Sequence, residues 1–547
     1  MNKLRLSVAG AALTAAALAF LNLVSARVHL RADFSSGRIY SLSAGSRRIL
    51  SGLADPLEVR AYFSKGLPPQ FAASRAYVQD ILSEYRSASR GMIRWRFIDV
   101  DRDEAGKREA LKEGIAPVEF NVVTREKYEL REGFMGLVLQ YADKKEALPV
   151  VSKPESLEYD LTSAILRLTR PARKVIGILS SHGAIGPEGL ARPLRDSLER
   201  HYELRPVDMR LLEPGAAIPP EVEGLLVLGP TERLSEAQLY ALDQFLLSGR
   251  PLALCVDVKR ADFSSFMASP NDAGLLDWLK AQGISLKLNF VLDLQSQKVQ
   301  ITQSRGWFMV ANIVDYPLFV VSNDLDNDHP ITRGLNALTF PLVSPISAER
   351  PSGSLLTLAR SSKHSWLRSA WARGVAFSIS PLQNPTPSEG DAKGPFTLAV
   401  ALEDRFESYF SAARKPPAEA DPKVFIARSA KPARLLVVGT SRFASPDMPA
   451  GNAGPVFLMN IVDWLAQESD LASIRSKTAV YRPLLEVTPA LKTVIRWANI
   501  LLPSLLVVAF GLYRLKRRRS QRIFRTALYG TAPLPEPQAP DNVPANP

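Results

Sequence analysis

The chain has 547 residues, 46% hydrophobic and 22% charged, a globular composition with room for two or three domains. Its formal net charge of +13 would suit a nucleic-acid partner, but residues 514–525 alone supply seven of those charges beside an apolar run. Basic residues there read as topology signals or anionic-lipid contacts, and with no zinc ligands, stacking aromatics or recognition helix no nucleic-acid partner is expected. The single cysteine, Cys255, excludes an internal disulfide, a Cys-x-x-Cys redox motif and a cysteine-rich zinc site. It lies in the apolar run 252–258 (LALCVDV) and reads as a buried core residue.

Lys3 and Arg5 precede an apolar run at 6–25. Val24-Ser25-Ala26 would suit a cleaved signal peptide, whereas the length of the run favours an uncleaved anchor. Either way the two basic residues hold the amino terminus in the cytoplasm.

Residues 43–170 are expected to form a first domain outside the membrane. The stretches 57–64 and 92–100 alternate as strands, and Val78, Ile81, Leu82 and Tyr85 mark one face of a helix between them. A polar helix at 104–113 ends at Gly114, and a strand at 117–123 follows. A strand pair through 136–151 is expected to turn at Asp143-Lys144, before a helix that buries Leu157, Leu161, Ala164, Ile165 and Leu168. That order, β-α-β-α-β-β-α, with Pro117 just before the third strand, resembles a thioredoxin-like fold. The redox cysteines of that fold are absent, so the resemblance implies a scaffold or binding role.

Residues 174–476 are expected to form a doubly wound, Rossmann-like α/β domain. The runs at 174–181, 224–230 and 251–258 are apolar almost throughout, as in strands buried on both faces. Ser235 and Gln238 have capping-box spacing at the start of a helix with Leu239, Leu242 and Leu246 inside and Gly249 as its stop. A helix with Leu275 and Leu279, strands near 284–288, 375–379 and 434–440, and a helix at 456–466 complete the pattern. Ligands of such sheets sit at the carboxyl ends of the strands. The candidate ligand or interaction rim is therefore Ser181, His182, Gly183, Asp257 and Ser441, with Gly229-Pro230 beside it. The stretches 383–395 and 414–432 read as surface loops.

No catalytic constellation stands out. Ser181 beside His182 lacks the Gly-x-Ser-x-Gly nucleophile elbow. Asp324, Asp326 and Asp328 start like a calcium loop, but His329 takes the glycine position and Leu335 the bidentate glutamate position. Asp99, Asp101 and Asp103 fail the same test at Glu104 and Ala110. No Walker motif occurs, so the chain is not expected to be a P-loop ATPase, and no cofactor or metal is expected.

The run 497–513 carries no charge, with Trp497 and Tyr513 at its ends as interfacial anchors. Arg517, Arg518 and Arg519 follow and mark the cytoplasmic side, ahead of a proline-rich tail at 531–547. The expected topology has two spans, both termini and the basic tail 514–547 in the cytoplasm, and the bulk of the chain in the periplasm.

Several segments in this order resemble the GldG-type proteins, auxiliary components of ABC transport systems associated with gliding motility. They are DFSSGRIYSLS from Asp33, LEVRAYFSKGLPP from Leu57, FIDVD from Phe97 and LEYDLTSAILRLTR from Leu157. The strand before Ser181-His182-Gly183, LSEAQLYALDQFLLSGRPLALCVD from Leu234, DHPITRGL from Asp328, FPLVSPI from Phe340 and GPFTLAVALE from Gly394 continue the match, with the end segment 434–477. One departure is Ala184, where similar proteins carry a glutamate. The second domain is also similar to a domain of an intraflagellar-transport protein, which implies a binding scaffold. The resemblance implies an inner-membrane accessory subunit whose partners are an ABC-type permease and a separate ATPase, with an envelope polymer or exported substrate at its outer body. The other readings are a stand-alone periplasmic sensor or binding protein and a hydrolase- or amidotransferase-like enzyme on the same sheet.

Overall fold

The computed structural model describes residues 41–468, except 66, 68, 102–103, 124–127, 152–153, 171, 214, 306–307, 350–354, 369–375, 384, 411–413, 419–423 and 447–452. It also describes residue 474, residues 489–528 and, within the amino-terminal run, residues 10, 13–17 and 20, all helical. The rest of the run 6–25, including the cleavage question, and the tail 531–547 lie outside the described residues. The chain forms two compact units, Met1–Tyr481 and Arg482–Pro547.

The first sheet of the larger unit runs in the order β2 (Ile93–Asp99), β1 (Leu57–Phe63), β5 (Met135–Tyr141), β6 (Lys144–Leu148). β1 and β2 are parallel, joined by the helix Pro69–Ala88, while β5 and β6 are antiparallel additions turning at Ala142-Asp143. Val78, Leu82 and Tyr85 of that helix pack with Leu157, Leu161 and Ile165 of the helix Pro154–Thr169 on one sheet face. On the other face Ala110, from the helix Glu104–Lys112, packs with Tyr62, Ile115 and Val138. Full burial of a leucine or valine here contributes about 1.5–3 kcal/mol each relative to exposure. The strand expected after Pro117 does form, as β3 (Val118–Val123), but it pairs with β4 (Tyr128–Gly133) outside this sheet. Alternation identifies a strand's period, not its neighbour.

The second sheet has a parallel half ordered β8 (Tyr202–Val207), β7 (Lys174–Leu179), β9 (Gly224–Leu228), β10 (Leu252–Cys255), β25 (Ala433–Val438). Side chains alternate between two cores. Ile176, Leu226, Cys255 and Val438 face the helices Arg192–Glu199 and Ala453–Leu465, while Leu225, Leu254 and Val437 face the helix Glu236–Leu247. The capping box of Ser235 and Gln238 is formed, and Gly249 takes φ +89° where that helix stops.

Beyond β25 the sheet is not doubly wound. β24 (Thr397–Asp404), β19 (Ile346–Ala348) and β13 (Ile284–Leu286) continue it antiparallel, with β20 (Leu355–Arg360) also on β24 and β17 (Asp324–Leu325) on β20. These strands come from the long crossover between β10 and β25, which also builds three small sheets. These are β11 (Lys259–Asp262), β12 (Met267–Pro270) and β22 (Phe377–Ser378); β14 (Val291–Asp293), β21 (Ser365–Leu367) and β23 (Ala392–Lys393); and β15 (Ser296–Arg305), β16 (Phe308–Ser322) and β18 (Leu338–Pro341).

The smaller unit contains the helix Pro489–Leu528, which runs through Pro503 into the arginines. Its segment Leu491–Gln521 contains an apolar stretch long enough to cross a membrane, none of it buried. Leu501, Leu505, Val508 and Leu512 are all exposed, an arrangement that is costly in water and favourable in lipid. Trp497 and Tyr513 lie within this helix, and Arg517, Arg518 and Arg519 extend it past the apolar part.

Candidate functional site

In chain order the parallel half reads second, first, third, fourth, fifth, so the strand order reverses between β7 and β9. Ligand crevices of open α/β sheets lie at the carboxyl side of such a reversal. In this protein the chain itself bridges that point. Ile185 N donates to Leu228 O at 2.9 Å, and Thr231 N and Glu232 N both donate to His182 O, at 2.8 and 3.0 Å.

The predicted rim residues fall into two pairs on either side of the loop after β9. Ser181 Oγ lies 2.9 Å from His182 Nδ1 and accepts from Met209 N at 3.1 Å. With that amide donating to it, the hydroxyl can direct its own proton to Nδ1. Burial, and then Arg210, lower the His182 pKa, against the pull of Glu232. His182 adopts φ +58° and Gly183 φ +68°. A Cβ on Gly183 would stand 2.0 Å from Thr231 Oγ1, so this turn requires glycine both for its backbone and for the close approach.

The second pair spans the sheet. Asp257, at the end of β10, accepts from Ser441 N at 2.9 Å and from Ser441 Oγ at 2.6 Å, while Arg442 Nε lies 3.9 Å from it. Gly229 at φ +56° lies against both partners. Asn271 Nδ2 ties the outer layer by donating to Asp257 O at 2.7 Å and Pro230 O at 3.0 Å.

Ser181, His182, Asp257 and Ser441 are thus each buried, and their polar atoms hold neighbouring loops. Asp257 bonds to Ser441 and not to His182, so the residues do not assemble as a nucleophile, base and acid. Cys255 is fully buried with its thiol pKa pushed well up by burial, as expected of a core residue. Among the described residues no group of three or more metal-ligating side chains occurs, and the turn at Asp326 is closed by Asp328 N donating to its carboxylate at 3.0 Å.

Accessible space lies beside the rim. A cavity of about 600 Å³ opens between Ser180, Ile185, Pro187, Leu204, Pro206 and Ser445. The sequence reading missed this pocket because its walls come from three segments far apart in the chain, 180–189, 199–206 and 445–446.

Comparison with known proteins bears on this arrangement. An uncharacterized protein of Borreliella burgdorferi (strain ATCC 35210 / DSM 4680 / CIP 102532 / B31) is 20% identical over 502 residues, 89% of this chain and 93% of that protein. Among solved structures, the mmIFT52 N-terminal domain aligns with a TM-score of 0.31 and 12% identity, over 53% of this chain and 96% of that domain. Residues 36–140 match a domain of unknown function. Residues 173–460, which hold the second sheet and every rim residue, match the auxiliary component of an ABC-type uncharacterized transport system, and the chain belongs to that family.

Proposed function

We propose that the protein is a membrane-anchored auxiliary subunit of an ABC-type transporter of GldG type, with its α/β body outside the inner membrane. Beyond the family itself, the reading rests most on the exposed apolar helix carrying an arginine block at its carboxyl end. Positive-inside bias puts that end in the cytoplasm, and an anchor at 6–25 would leave the body in the periplasm. The thioredoxin-like and Rossmann-like parts act as scaffold, and energy comes from a separate ATPase bound to the permease. The rim of Ser181, His182, Gly183, Asp257 and Ser441 shapes the loops offered to the permease or to an exported substrate. Its side chains hold those loops, so the contact surface is loop backbone and the cavity beside Ser180 and Ser445.

The test is purification of the tagged full chain in mild detergent, followed by mass spectrometry. A permease and an ATP-hydrolysing subunit in fixed ratio are expected. Recovery of the chain alone would defeat the reading.

A further inference from the structure

At the other end of the parallel strands a second cavity, of about 660 Å³, lies where β6 and the end of the helix Pro154–Thr169 meet the residues before β7 and β8. Six cations line it, Lys144, Lys145, Arg167, Arg170, Arg173 and Arg200, against one lining carboxylate, Glu146.

The charges do not balance. Arg167 occupies Glu146, with Nε 2.7 Å from its carboxylate. Lys145 pairs with Glu113 at 2.9 Å, and Arg170 shares Glu468 with Lys174. Among the described residues Lys144 Nζ donates only to the Arg170 carbonyl at 2.8 Å, and Arg173 Nη1 only to the Glu199 carbonyl at 2.8 Å. Among the described residues no carboxylate is bonded to Lys144, Arg173 or Arg200. Asp160 faces Arg167 and Arg200 from the helix, and burial, the strongest influence on it, raises its own carboxyl pKa. The carboxylates behind the lining are themselves shared, Glu113 with Arg60 at 3.1 Å and Glu468 with Lys174 at 3.2 Å, so they leave the cations of the wall in excess.

A concave wall of one sign focuses potential and draws counter-ions. Three cations converging from β6, the linker and the end of a helix fit an acceptor with three or more oxygens better than a two-oxygen carboxylate, and guanidinium forks match phosphate geometry. We propose that this cavity binds a phosphate-bearing anion through Lys144, Arg173 and Arg200. The phosphate belongs to a soluble molecule of sugar-phosphate size or to a lipid headgroup, and the volume accommodates either. The site is independent of the transporter reading.

The test uses the full chain in neutral detergent and inorganic pyrophosphate as the probe, by calorimetry at constant ionic strength. Saturable one-site binding is expected, weakened at least about tenfold in Lys144→Ala/Arg173→Ala/Arg200→Ala, because hydrogen bonds to charged groups carry most of such an affinity. The charge-matched control Lys363→Ala/Arg405→Ala/Lys431→Ala should bind as wild type. All three site residues are exposed, so folding should survive, and the single changes Lys144→Gln and Arg200→Gln should give graded losses. Equal binding by triple variant and control, or no saturable binding at all, overturns the site. Nanodiscs then identify the source: competition by phosphatidylglycerol but not phosphatidylcholine assigns the phosphate to a headgroup, and competition by neither assigns it to a soluble anion.

Discussion

Ser441 clamps Asp257 across the carboxyl edge of the second sheet, its amide on one carboxylate oxygen at 2.9 Å and its hydroxyl on the other at 2.6 Å. The clamp leaves no space at Gly229, where an added Cβ would lie 2.2 Å from Ser441 Oγ and 2.7 Å from Asp257 Oδ2. Gly229→Ala should therefore cost about 2–4 kcal/mol, part from the positive φ and part from overpacking. Asp257→Ala should cost about 2–3 kcal/mol by leaving two buried donors unpaired. Urea denaturation of each variant, followed by circular dichroism, measures both.

Asp243 is a second buried junction. Its carboxylate accepts from Trp278 Nε1 at 3.0 Å, Ser408 Oγ at 2.6 Å, Tyr409 N at 3.0 Å and Gln244 Nε2 at 3.2 Å. These bonds join the helix Glu236–Leu247 to the helix Leu275–Ala281 and to the chain after β24. Asp243→Ala should destabilise by about 3–5 kcal/mol, and Asp243→Asn by less because one acceptor oxygen survives. A midpoint in urea unchanged from wild type would refute the junction's importance.

Two groups set opposite pH dependences. Burial pushes the Asp243 carboxyl up to about 6 against the pull of its donors, so the folded state holds that proton more tightly than the unfolded chain. Its stabilising contribution is present below the ordinary carboxylate range and is lost as pH rises through about 6. Burial lowers His329 to about 4, and its Nδ1 accepts from Ile331 N at 3.3 Å, which requires an unprotonated nitrogen. Its contribution is present above the ordinary histidine pKa of about 6.5 and is lost as pH falls from there toward about 4. His329→Leu should therefore leave a chain whose stability falls as pH rises from about 4 to 6, and Asp243→Asn one whose stability rises over the same window. Thermal melts across that window read the two slopes.

Truncation before Pro489 tests the anchoring at the amino end. With an uncleaved anchor at 6–25 the shortened chain should remain in the carbonate-washed membrane fraction. Release into the soluble fraction would show that the amino-terminal run is removed.

The local features of the fold were legible in the residues. The face of Val78, Leu82 and Tyr85, the Ser235–Gln238 capping box and the apolar strands at 174–179, 224–228 and 252–255 each depend on neighbours within a few positions. The antiparallel half of the second sheet was not, because its strands come out of a long crossover and their pairing depends on which edge they reach. β24 illustrates this: its direction is set by β25 on one side and by β19 and β20 on the other, all distant in sequence or reached only through the crossover.

The sequence alone settled what depends on short-range periodicity and composition: helix faces, the buried strands at 174–179, 224–228 and 252–255, a core cysteine, and an apolar carboxyl-terminal run ending in arginines. It also placed Ser181, His182, Asp257 and Ser441 just past apolar strand runs, which is where a rim is expected. Only the tertiary structure decided that they form two separate buried pairs, since Asp257 and Ser441 stand 184 positions apart. The same holds for the cationic cavity, where Lys144, Arg173 and Arg200 look like ordinary surface charges one by one. Long-range electrostatic and hydrogen-bond partners are chosen by the closing of the fold, and no local pattern encodes that choice.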